Sequence, residues 1–333
     1  MCSPNNFIME KFYFIEHENT DPYFNIASEE YLLKRKKGYY VYVWQNAPSV
    51  IVGVNQNAFA EVNLGYTESN GVKVVRRLTG GGAVYHDLNN VCYTVIAPYE
   101  DKEQTYHKFT APVIEYLKSI NVNAEFSGRN DITIDGKKIS GNAQTVFENR
   151  IMHHGTLLFD TDVSVLSKTL TANKLKIESK GIKSVRARVT NVKEYLGQNF
   201  TIKEFIEGLK NFLKKDCEEY QFSEEDIKAI KELSNNKYST YEWNMGYSPK
   251  GKNVFEDKFD FGIFTLNFDT VDGKVQNANI YGDFFSRKDV KDFCAKLNGT
   301  KWEKSQLEKV FSEISDYIVN ADGKIIVEKI FQG

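Results

Sequence analysis

The chain has 333 residues, 41% of them hydrophobic and 26% charged, which is the composition of a globular protein with apolar material for one large domain or two. A net charge of −2 gives no basis for bulk binding to nucleic acid, and no apolar run approaches the ~18 residues of a membrane span. Four scattered cysteines without a CxxC pair, and an N-terminus without a signal-peptide pattern, predict a protein of the reducing cytoplasm with neither nucleic acid nor membrane as partner.

Helical and strand patterns alternate through the first 245 residues. Residues 25–37 predict a helix, because glutamates come early, basic residues fill the last turn and Gly38 follows. Segments rich in Val, Ile and Tyr predict strands over 39–45, 49–54, 72–78 and 91–98. Apolar spacing predicts further helices over 105–120, 201–217 and 223–234. This order favours an α+β fold with a mixed sheet over a doubly wound sheet.

A break in the pattern lies at Asn244–Asn253, where Gly, Ser, Pro and Lys cluster without periodicity. Beyond it, residues 261–282 predict two strands, and residues 287–297 and 302–318 predict two helices. We therefore expect two domains, 1–247 and 252–333, of which the second is a small α+β domain.

The segment RRLTGGGAVYHDLNN, Arg76–Asn90, places two arginines before three consecutive glycines. Glycine loses more backbone entropy on folding than any other residue, so three consecutive glycines indicate a structural or functional requirement for a backbone without side chains. A bare backbone lets an anion approach N–H groups, and arginine forks match the geometry of phosphate. The spacing fits neither the dinucleotide fingerprint nor the P-loop. A nucleotide phosphate site and a Gly-rich turn with solvated arginines both remain open.

Asp135-Gly136 predicts a tight hairpin between two strands. The predicted pairs are Ile134–Lys137, Thr133–Lys138, Ile132–Ile139 and Asp131–Ser140. One face would carry the isoleucines, and the other would carry Asp131, Thr133, Lys138 and Ser140. Lys138 could then meet a phosphate or carboxylate oxygen, and Asp131 could hold Mg²⁺. A solvent-facing hairpin with surface lysines is the commoner explanation of such a pattern.

The segment RIMHHGTLLFD, Arg150–Asp160, is a strand pattern in which His153 and His154 must face opposite sides. Further ligands at metal-binding spacing are not near in the sequence. One histidine could contact a ligand, or a hydrogen bond could hold it in place. Trp44 lies in a predicted strand and is most simply a core residue, although an apolar substrate tail would need such a wall.

Together, and in this order, these segments resemble the lipoate–protein ligase A family. The matching segments are DPYFNIASEEYLL (21–33), RRLTGGGAVYHDLNNVCYTV (76–95), GRNDITIDGKKISGNA (128–143), HHGTLLFDTD (153–162), KGIKSVRARVTNV (180–192) and YEWNMG (241–246). The resemblance covers essentially the whole chain and rests most on the second and third segments. It implies a mixed-sheet catalytic domain of the biotin and lipoate ligase type over 1–247, followed by an accessory domain over 252–333.

The resemblance also implies a reaction in two steps. Lipoate and MgATP give lipoyl-AMP and pyrophosphate, and the lipoyl group then passes to a specific lysine of an acceptor domain. The implied acceptors are E2 subunits of 2-oxoacid dehydrogenases and the glycine cleavage H protein. ATP and Mg²⁺ are therefore expected, and a monomer is the default expectation.

Site roles follow from the same resemblance, position by position. Lys138 would be the catalytic residue that contacts both the lipoate carboxyl and the α-phosphate. Arg76 and His86 would flank the reactive phosphate and carboxyl, and Asp131 would hold the metal. The other ATP and lipoyl-AMP contacts would come from Arg77, Gly80, Gly81, Gly82, Ala83, Val84, Tyr85 and Asn130. The lipoate pocket would be lined by Trp44, His154, Gly155 and Lys138.

Three other functions compete with this one. An octanoyl or lipoyl transferase of the same fold works without ATP through a cysteine thioester, and Cys92 is the cysteine nearest to these motifs. A biotin ligase is disfavoured, because the chain has no G-R-G-R-x-G-R-x-W segment. A regulator that only binds lipoate or nucleotide would not need both Lys138 and the metal carboxylate Asp131.

Overall fold

The computed structural model describes residues 11–99, 105–170, 189–245 and 253–331, so most of the segment 180–192 and Gly246 lie outside the described residues. The chain divides into two compact units. The first comprises 1–46, 88–161 and 188–232, and the second comprises 47–87, 162–187 and 233–333. Both contain helices and sheet, which confirms the predicted α+β class. Within the described ranges, no helix has the length and apolar character needed to cross a membrane.

Strands and helices are numbered in chain order. The strands are β1 Phe12–Ile15, β2 Tyr39–Trp44, β3 Ser49–Val52, β4 Lys73–Arg76, β5 Val84–His86, β6 Asn90–Pro98, β7 Ala124–Ser127, β8 Asp131–Ile134, β9 Lys137–Phe147, β10 Arg150–Leu158, β11 Glu218–Tyr220, β12 Asn253–Phe259, β13 Gly262–Val271 and β14 Lys274–Gly282. The helices are α1 Pro22–Arg35, α2 Ala58–Glu61, α3 Leu64–Ser69, α4 Thr105–Ser119, α5 Val163–Thr169, α6 Ile202–Leu213, α7 Glu224–Leu233, α8 Tyr241–Asn244, α9 Val290–Leu297, α10 Lys304–Phe311 and α11 Gly323–Ile330.

An eight-stranded mixed sheet forms the centre of the first unit, in the order β11-β1-β2-β6-β10-β9-β8-β7. β1 pairs in parallel with β11 and β2, and the remaining pairs are antiparallel. One face of this sheet packs against α4 and α6, where Val43, Tyr93 and Leu157 meet Leu117 and Phe205 in an apolar core. The strands predicted over 39–45 and 91–98 are confirmed to within one residue.

Helix α1 begins three residues earlier than predicted. The Asp21 side chain accepts a hydrogen bond from the N–H of Tyr23 at 3.3 Å, and Pro22 occupies the first turn, where a missing N–H costs nothing. Its basic last turn is as predicted, and Gly38 follows with a left-handed φ of +98°. The helix predicted over 105–120 is confirmed as α4, which runs through Pro112.

The β8–β9 hairpin keeps the predicted register only at its tip. Its pairs are Ile134–Lys137, Thr133–Lys138, Ile132–Ser140 and Asp131–Gly141. The first two pairs are as predicted, and the pairs Ile132–Ile139 and Asp131–Ser140 are wrong. A β-bulge leaves Ile139 unpaired, and one extra residue in β9 shifts every later partner by one position.

The second unit contains a three-stranded sheet in the order β4-β3-β5. β3 is parallel to β4 and antiparallel to β5. Val50, Val52 and Tyr85 pack with Val62 and Met245 in its core. The strand predicted over 72–78 ends at residue 76, so the glycine-rich segment forms the loop between β4 and β5.

The C-terminal part of the second unit has a core of its own. The antiparallel sheet β12-β13-β14 and helices α9, α10 and α11 bury Phe264, Phe284, Phe293 and Phe311 together. The two strands predicted over 261–282 are confirmed. β12 and α11 were not predicted, and the helix predicted over 302–318 ends earlier, at residue 311. Residues 47–87 belong to the same compact unit as this C-terminal part.

Candidate functional site

The glycine loop, defined here as residues 77–83, is held by the side chain of Arg77. This guanidinium is buried and donates to the carbonyl oxygens of Gly80 at 2.6 Å, Gly82 at 3.0 Å and Ile51 at 3.1 Å. Its Nε donates to the Thr79 hydroxyl at 2.8 Å. Because two glycine carbonyls are tied to one cation, the loop is fixed before a ligand arrives, which is what preorganised binding of a charge requires.

Arg76 is fully buried and also binds the chain itself. Its guanidinium donates to the carbonyls of Gly53, Val54, Gln56, Trp243 and Asn244 at 2.6 to 3.2 Å. Five backbone acceptors compensate for the cost of burying this cation. The described hydrogen bonds of both guanidinium groups, which were predicted to contact the nucleotide, are made to oxygen atoms of the chain itself, and only those of Arg77 reach the glycine loop.

The three glycines of the loop differ in what requires them. A Cβ atom on Gly80 would lie 2.5 Å from the carbonyl oxygen of Phe284. Gly81 has a φ of +91°, and a Cβ on Gly53 would lie 2.1 Å from the Gly81 oxygen. At Gly82, by contrast, a Cβ would meet no described atom within 4 Å, and φ is outside the left-handed region. The described fold does not require a glycine at 82, which is where a ligand could approach the bare backbone.

The loop ends at Ala83 and continues into β5, which carries the predicted nucleotide residues Val84, Tyr85 and His86. Ala83 and Val84 are half-buried, and Tyr85 and His86 are buried. Burial, with a smaller contribution from Asp87, raises the pKa of Tyr85 to about 12. Its hydroxyl is therefore protonated at neutral pH and can donate a hydrogen bond.

In the first unit, Lys138 and Asp131 form an ion pair with 2.7 Å between Nζ and Oδ1. Their side chains are 38% and 35% exposed, so a ligand can reach both. The Lys138 carbonyl accepts the N–H of Thr190 at 3.0 Å, which fixes the backbone beside it. A Cβ on Gly141 would lie 3.0 Å from Nζ, so the lysine side chain extends across that glycine. A cation and a carboxylate side by side can serve an anionic substrate and a divalent metal.

Asn130 and Asn142 close the loop that precedes β8. The Asn130 amide donates to the Asn142 carbonyl at 2.7 Å, and the Asn142 backbone and side-chain N–H groups donate back to the Asn130 carbonyl at 2.9 and 3.1 Å. The Tyr93 hydroxyl donates to the Asn142 side-chain oxygen. A Cβ on Gly155 would lie 2.1 Å from that oxygen. Gly155 is therefore required by this hydrogen-bond network, and Asn130 holds the start of β8.

A buried chain of hydrogen bonds links Trp44 to His154. Trp44 Nε1 donates to Thr94 Oγ1 at 2.9 Å, and Thr94 Oγ1 donates to Glu29 Oε1 at 2.7 Å. His154 Nδ1 lies 2.9 Å from the same carboxylate oxygen, and all four residues are buried. Glu29 was not among the residues predicted for the site. Its position four residues before Leu33, on the apolar stripe of α1, was the available signal, because a carboxylate on such a stripe must be buried with partners.

His153 faces the opposite side of the sheet from His154, as predicted. It is fully buried near the rings of Tyr106 and Phe109, with Gln144 Nε2 2.9 Å from its Nδ1. Burial, with a contribution from neighbouring His154, lowers the pKa of His153 to about 3. The ring is therefore neutral and belongs to the core between the sheet and α4.

Cys92 is buried on β6, where the Asn90 side-chain amide lies 3.4 Å from its sulfur. Burial, followed by the charge of Glu29, raises the pKa of the Cys92 thiol well above its usual value. The thiolate is the nucleophilic form of cysteine, so a thiol held protonated in this way is poorly suited to thioester chemistry.

The register brings Trp44, His154, Asp131 and Lys138 onto one face of the sheet, whereas Gly155, opposite Asn142, lies on the other. His154 lies opposite Ala143, and Gly141 shares the face of Ala143 because it is two residues away. Asp131 lies opposite Gly141, with Lys138 bound to it. The ion pair is therefore on the same sheet face as the buried hydrogen-bond chain.

Asp131 also fits the expected magnesium ion. Among the described residues, no group of three or more His, Cys, Asp or Glu side chains could hold a metal. Mg²⁺ usually takes only one or two protein carboxylates and completes its shell with phosphate oxygens and water. A single accessible carboxylate is sufficient for that kind of site.

Comparison with known families gives two matches along this chain. The lipoyl protein ligase A/B catalytic domain matches residues 21–214, and the bacterial lipoate protein ligase C-terminus matches residues 248–330. Lipoate–protein ligase 1 of Staphylococcus aureus is 42% identical over 313 residues, which cover 91% of this chain and 94% of that protein. Lipoate-protein ligase LplJ of Bacillus subtilis is 40% identical over 311 residues, with 91% and 94% covered.

Solved structures give the same result. Plasmodium falciparum LipL1 in complex with lipoate superimposes with a TM-score of 0.78 at 26% identity, covering 97% of this chain and 98% of that chain. A lipoate-protein ligase A bound with ATP has a TM-score of 0.63 at 28% identity, covering 72% and 99%.

The mixed-sheet fold and these matches define an enzyme of the ligase class. The chain belongs to the lipoate–protein ligase family.

Proposed function

We propose that this ligase first adenylates lipoate and then transfers the lipoyl group to a lysine of an acceptor protein. In the first step, a lipoate carboxylate oxygen attacks the α-phosphorus of ATP. The bond from that phosphorus to the α,β-bridging oxygen breaks, and pyrophosphate leaves. In the second step, the acceptor amine attacks the lipoyl carbonyl carbon, AMP leaves with the electron pair, and the amine loses a proton. This sequence requires no protein nucleophile.

The Lys138–Asp131 ion pair carries the proposal. Lipoate carboxylate and triphosphate repel each other, and attack concentrates negative charge at phosphorus. Lys138 is the catalytic residue, because its accessible ammonium lies on the same sheet face as the buried Trp44–His154 chain. One preorganised donor aimed at developing charge is typically worth ~10²–10³ in rate. In the second step the same donor can stabilise the oxyanion at the lipoyl carbon.

We assign the nucleotide phosphates to the glycine loop. Its backbone N–H groups would receive phosphate oxygens, and the open position at Gly82 supports this assignment. Arg77 would act by holding the loop, and Arg76 by holding the segments 53–56 and 243–244, without leaving their carbonyl partners. The proposed ATP and lipoyl-AMP residues are Arg76, Arg77, Gly80, Gly81, Gly82, Ala83, Val84, Tyr85, His86, Asn130 and Lys138.

We assign the lipoyl group to Trp44, His154 and Gly155, with Lys138 at the carboxyl end. Trp44 supplies apolar ring surface, which a hydrocarbon chain and a dithiolane ring require. Glu29 holds Trp44 and His154 in place. Its carboxylate accepts a hydrogen bond from Thr94, which in turn accepts one from Trp44, and the same carboxylate lies beside His154 Nδ1. The role of Glu29 is to position Trp44 and His154, not to contact lipoate.

Asp131 would hold Mg²⁺ together with phosphate oxygens of ATP. When bound, the ion supplies positive charge that offsets the repulsion between carboxylate and triphosphate. Lys138 and Asp131 form a pair in this structure, so the lysine and the carboxylate are each already stabilised by an opposite charge before the substrates bind.

The acceptors we propose are lipoyl domains of 2-oxoacid dehydrogenase E2 subunits and the glycine cleavage H protein. A bipartite lipoate protein ligase of Thermoplasma acidophilum has been studied structurally with its E2 lipoyl domain, and that chain resembles this one with a TM-score of 0.65 at 29% identity. Dependence on ATP fits the cytoplasmic location predicted from the sequence. We further propose that residues 1–247 act as the catalytic domain and 252–333 as the accessory domain of a monomer.

Lipoate-dependent exchange of pyrophosphate into ATP, measured without an acceptor protein, tests the first step. Wild type should exchange only when lipoate and Mg²⁺ are present. Lys138→Ala should lose exchange by about 10²-fold or more, while circular dichroism reports an unchanged fold. If wild type does not exchange, adenylation is not its reaction.

A transferase mechanism would place a thioester on Cys92. The burial and raised pKa of that thiol oppose it. The two mechanisms also differ in their need for ATP, because a transferase moves an acyl group that is already activated.

A further inference from the structure

The β-bulge at Ile139 decides which face of the sheet carries Lys138. Side chains of a regular strand alternate, so Asn142 and Ser140 would share a face with residue 138. That face is the core side, where Ser140 and Asn142 are buried and hydrogen-bonded to each other at 3.2 Å. The bulge leaves Ile139 unpaired and moves Lys138 to the opposite face, where it meets Asp131.

Having reached that face, the Lys138 side chain must cross residue 141 to pair with Asp131. Asp131 lies opposite Gly141, not opposite Lys138. A Cβ at 141 would lie 3.0 Å from Nζ and 3.2 Å from Cε of Lys138. Both contacts are with the end of a flexible side chain, and the backbone at 141 is outside the left-handed region. The fold therefore does not require this glycine, whereas a methyl group at 141 would displace the end of the Lys138 side chain by a few tenths of an ångström.

We propose that Gly141 is a positioning residue for Lys138, acting with the bulge at Ile139. The bulge places Lys138 on the same face of the sheet as Asp131. The absence of a side chain at residue 141 leaves space for the lysine side chain, whose ammonium group can then reach Asp131. This inference rests on the proposed function, in which Lys138 acts on the lipoate carboxyl and the α-phosphate. The geometric part can be tested without catalysis.

The first experiment compares the acetylation rates of two neighbouring lysines. Acetic anhydride is added in limiting amount to the full-length protein, and mass spectrometry follows Lys138 against exposed Lys137 as an internal reference. In wild type, Lys138 should react about two- to fivefold more slowly, because its ammonium must leave the carboxylate first. In Gly141→Ala and in Asp131→Asn the two rates should become similar. Gly197→Ala is the control, since a Cβ on that exposed glycine would meet no described atom within 4 Å, in contrast to one on Gly141.

The second experiment measures pyrophosphate exchange with the same variants. Gly141→Ala should lower kcat about 10- to 100-fold with little change in the KM for ATP, because a displaced catalytic group costs rate more than binding. The double variant Lys138→Ala with Gly141→Ala should match Lys138→Ala alone. A purely structural role for Gly141 would instead give additive losses.

Four results would overturn the proposal. Equal acetylation of Lys137 and Lys138 in wild type would mean that the ion pair is not formed in solution. Unchanged acetylation and kcat in Gly141→Ala would remove its positioning role, and so would additive losses in the double variant. Failure of Gly141→Ala to fold would likewise assign the glycine a structural role, because the described contacts of the added methyl group are with the end of Lys138 alone. If wild type shows no pyrophosphate exchange, the proposed adenylation is wrong. The acetylation rates would still test the position of Lys138, because they do not depend on catalysis.

Discussion

Replacing Gly82 with alanine tests whether a glycine at this position is required for folding or for binding of the ligand. The added methyl group would meet no described atom within 4 Å, and the backbone does not use the left-handed region there. Gly→Ala at such a position reduces the entropy of the unfolded chain, and typically adds about 0.4–1 kcal/mol of stability. The free energy of unfolding should therefore stay constant or rise slightly.

The expected effect on ATP has the opposite sign. If phosphate oxygens approach the backbone at Gly82, the methyl group lies in their path and removes one hydrogen bond to a charged acceptor. Such bonds contribute about 1.5–3 kcal/mol. The Kd for ATP should rise roughly 10- to 150-fold at about 1.4 kcal/mol per tenfold change.

Two measurements on the full-length protein are sufficient: thermal unfolding without ligand, and calorimetric titration with MgATP. Gly197→Ala is the matched control and should change neither quantity much, because its Cβ position is also open. Gly80→Ala is the contrasting variant and should lower the unfolding temperature, because its Cβ would lie 2.5 Å from the Phe284 carbonyl oxygen.

A Gly82→Ala protein that unfolds like wild type and binds ATP with unchanged affinity would refute the reasoning. The glycine loop would then not hold phosphate, and the open position at 82 would need another explanation. Loss of stability with unchanged affinity would refute it as well, because the structure leaves room for the methyl group.

Four further outcomes are expected. Cys92→Ala should retain turnover within about twofold, because the buried thiol is protonated; loss of activity in a folded variant would restore the thioester mechanism. Glu29→Gln should weaken lipoate binding about tenfold by calorimetry while ATP binding stays unchanged, because one buried partner of Thr94 and His154 is altered. Gly155→Ala should lower the unfolding temperature, because its Cβ would lie 2.1 Å from the Asn142 side-chain oxygen. The folded-state pKa of His17 is lowered by burial to about 4, so the unfolded chain binds its proton first as the pH falls. Stability should therefore decline between about pH 6.5 and 4, by up to about 1.4 kcal/mol per pH unit, and denaturant titrations of His17→Phe should show a weaker decline.

The pairing of Lys138 with Asp131 shows what residue patterns can and cannot predict. The Asp-Gly turn predicted the hairpin and its first two pairs, because turn chemistry fixes the register at the tip. The bulge could not be predicted, because alternation describes only regular strands. Lys138 and Asp131 nevertheless lie together as expected, while Ser140 lies on the other face.

Arg76, Arg77 and Glu29 show a second limit of what can be predicted from the sequence. A sequence gives the charge of Arg76 and Arg77, but not whether carbonyls of the chain or oxygens of a ligand accept their hydrogen bonds. Those carbonyls come from distant segments, including Trp243 and Asn244, and local reasoning cannot bring them together. Glu29 was missed for a related reason, since its partners lie on β6 and β10.

The contact between Gly81 and Phe284 has a thermodynamic consequence. The Gly81 N–H donates to the Phe284 carbonyl at 3.4 Å, so one loop donor is shared with the C-terminal part of the chain. A phosphate oxygen that takes this N–H must displace that carbonyl. Binding of nucleotide and retention of this contact then oppose each other by one coupling free energy, which is equal in both directions. Nucleotide affinity measured on a chain truncated before residue 284 would therefore lack this opposing contribution.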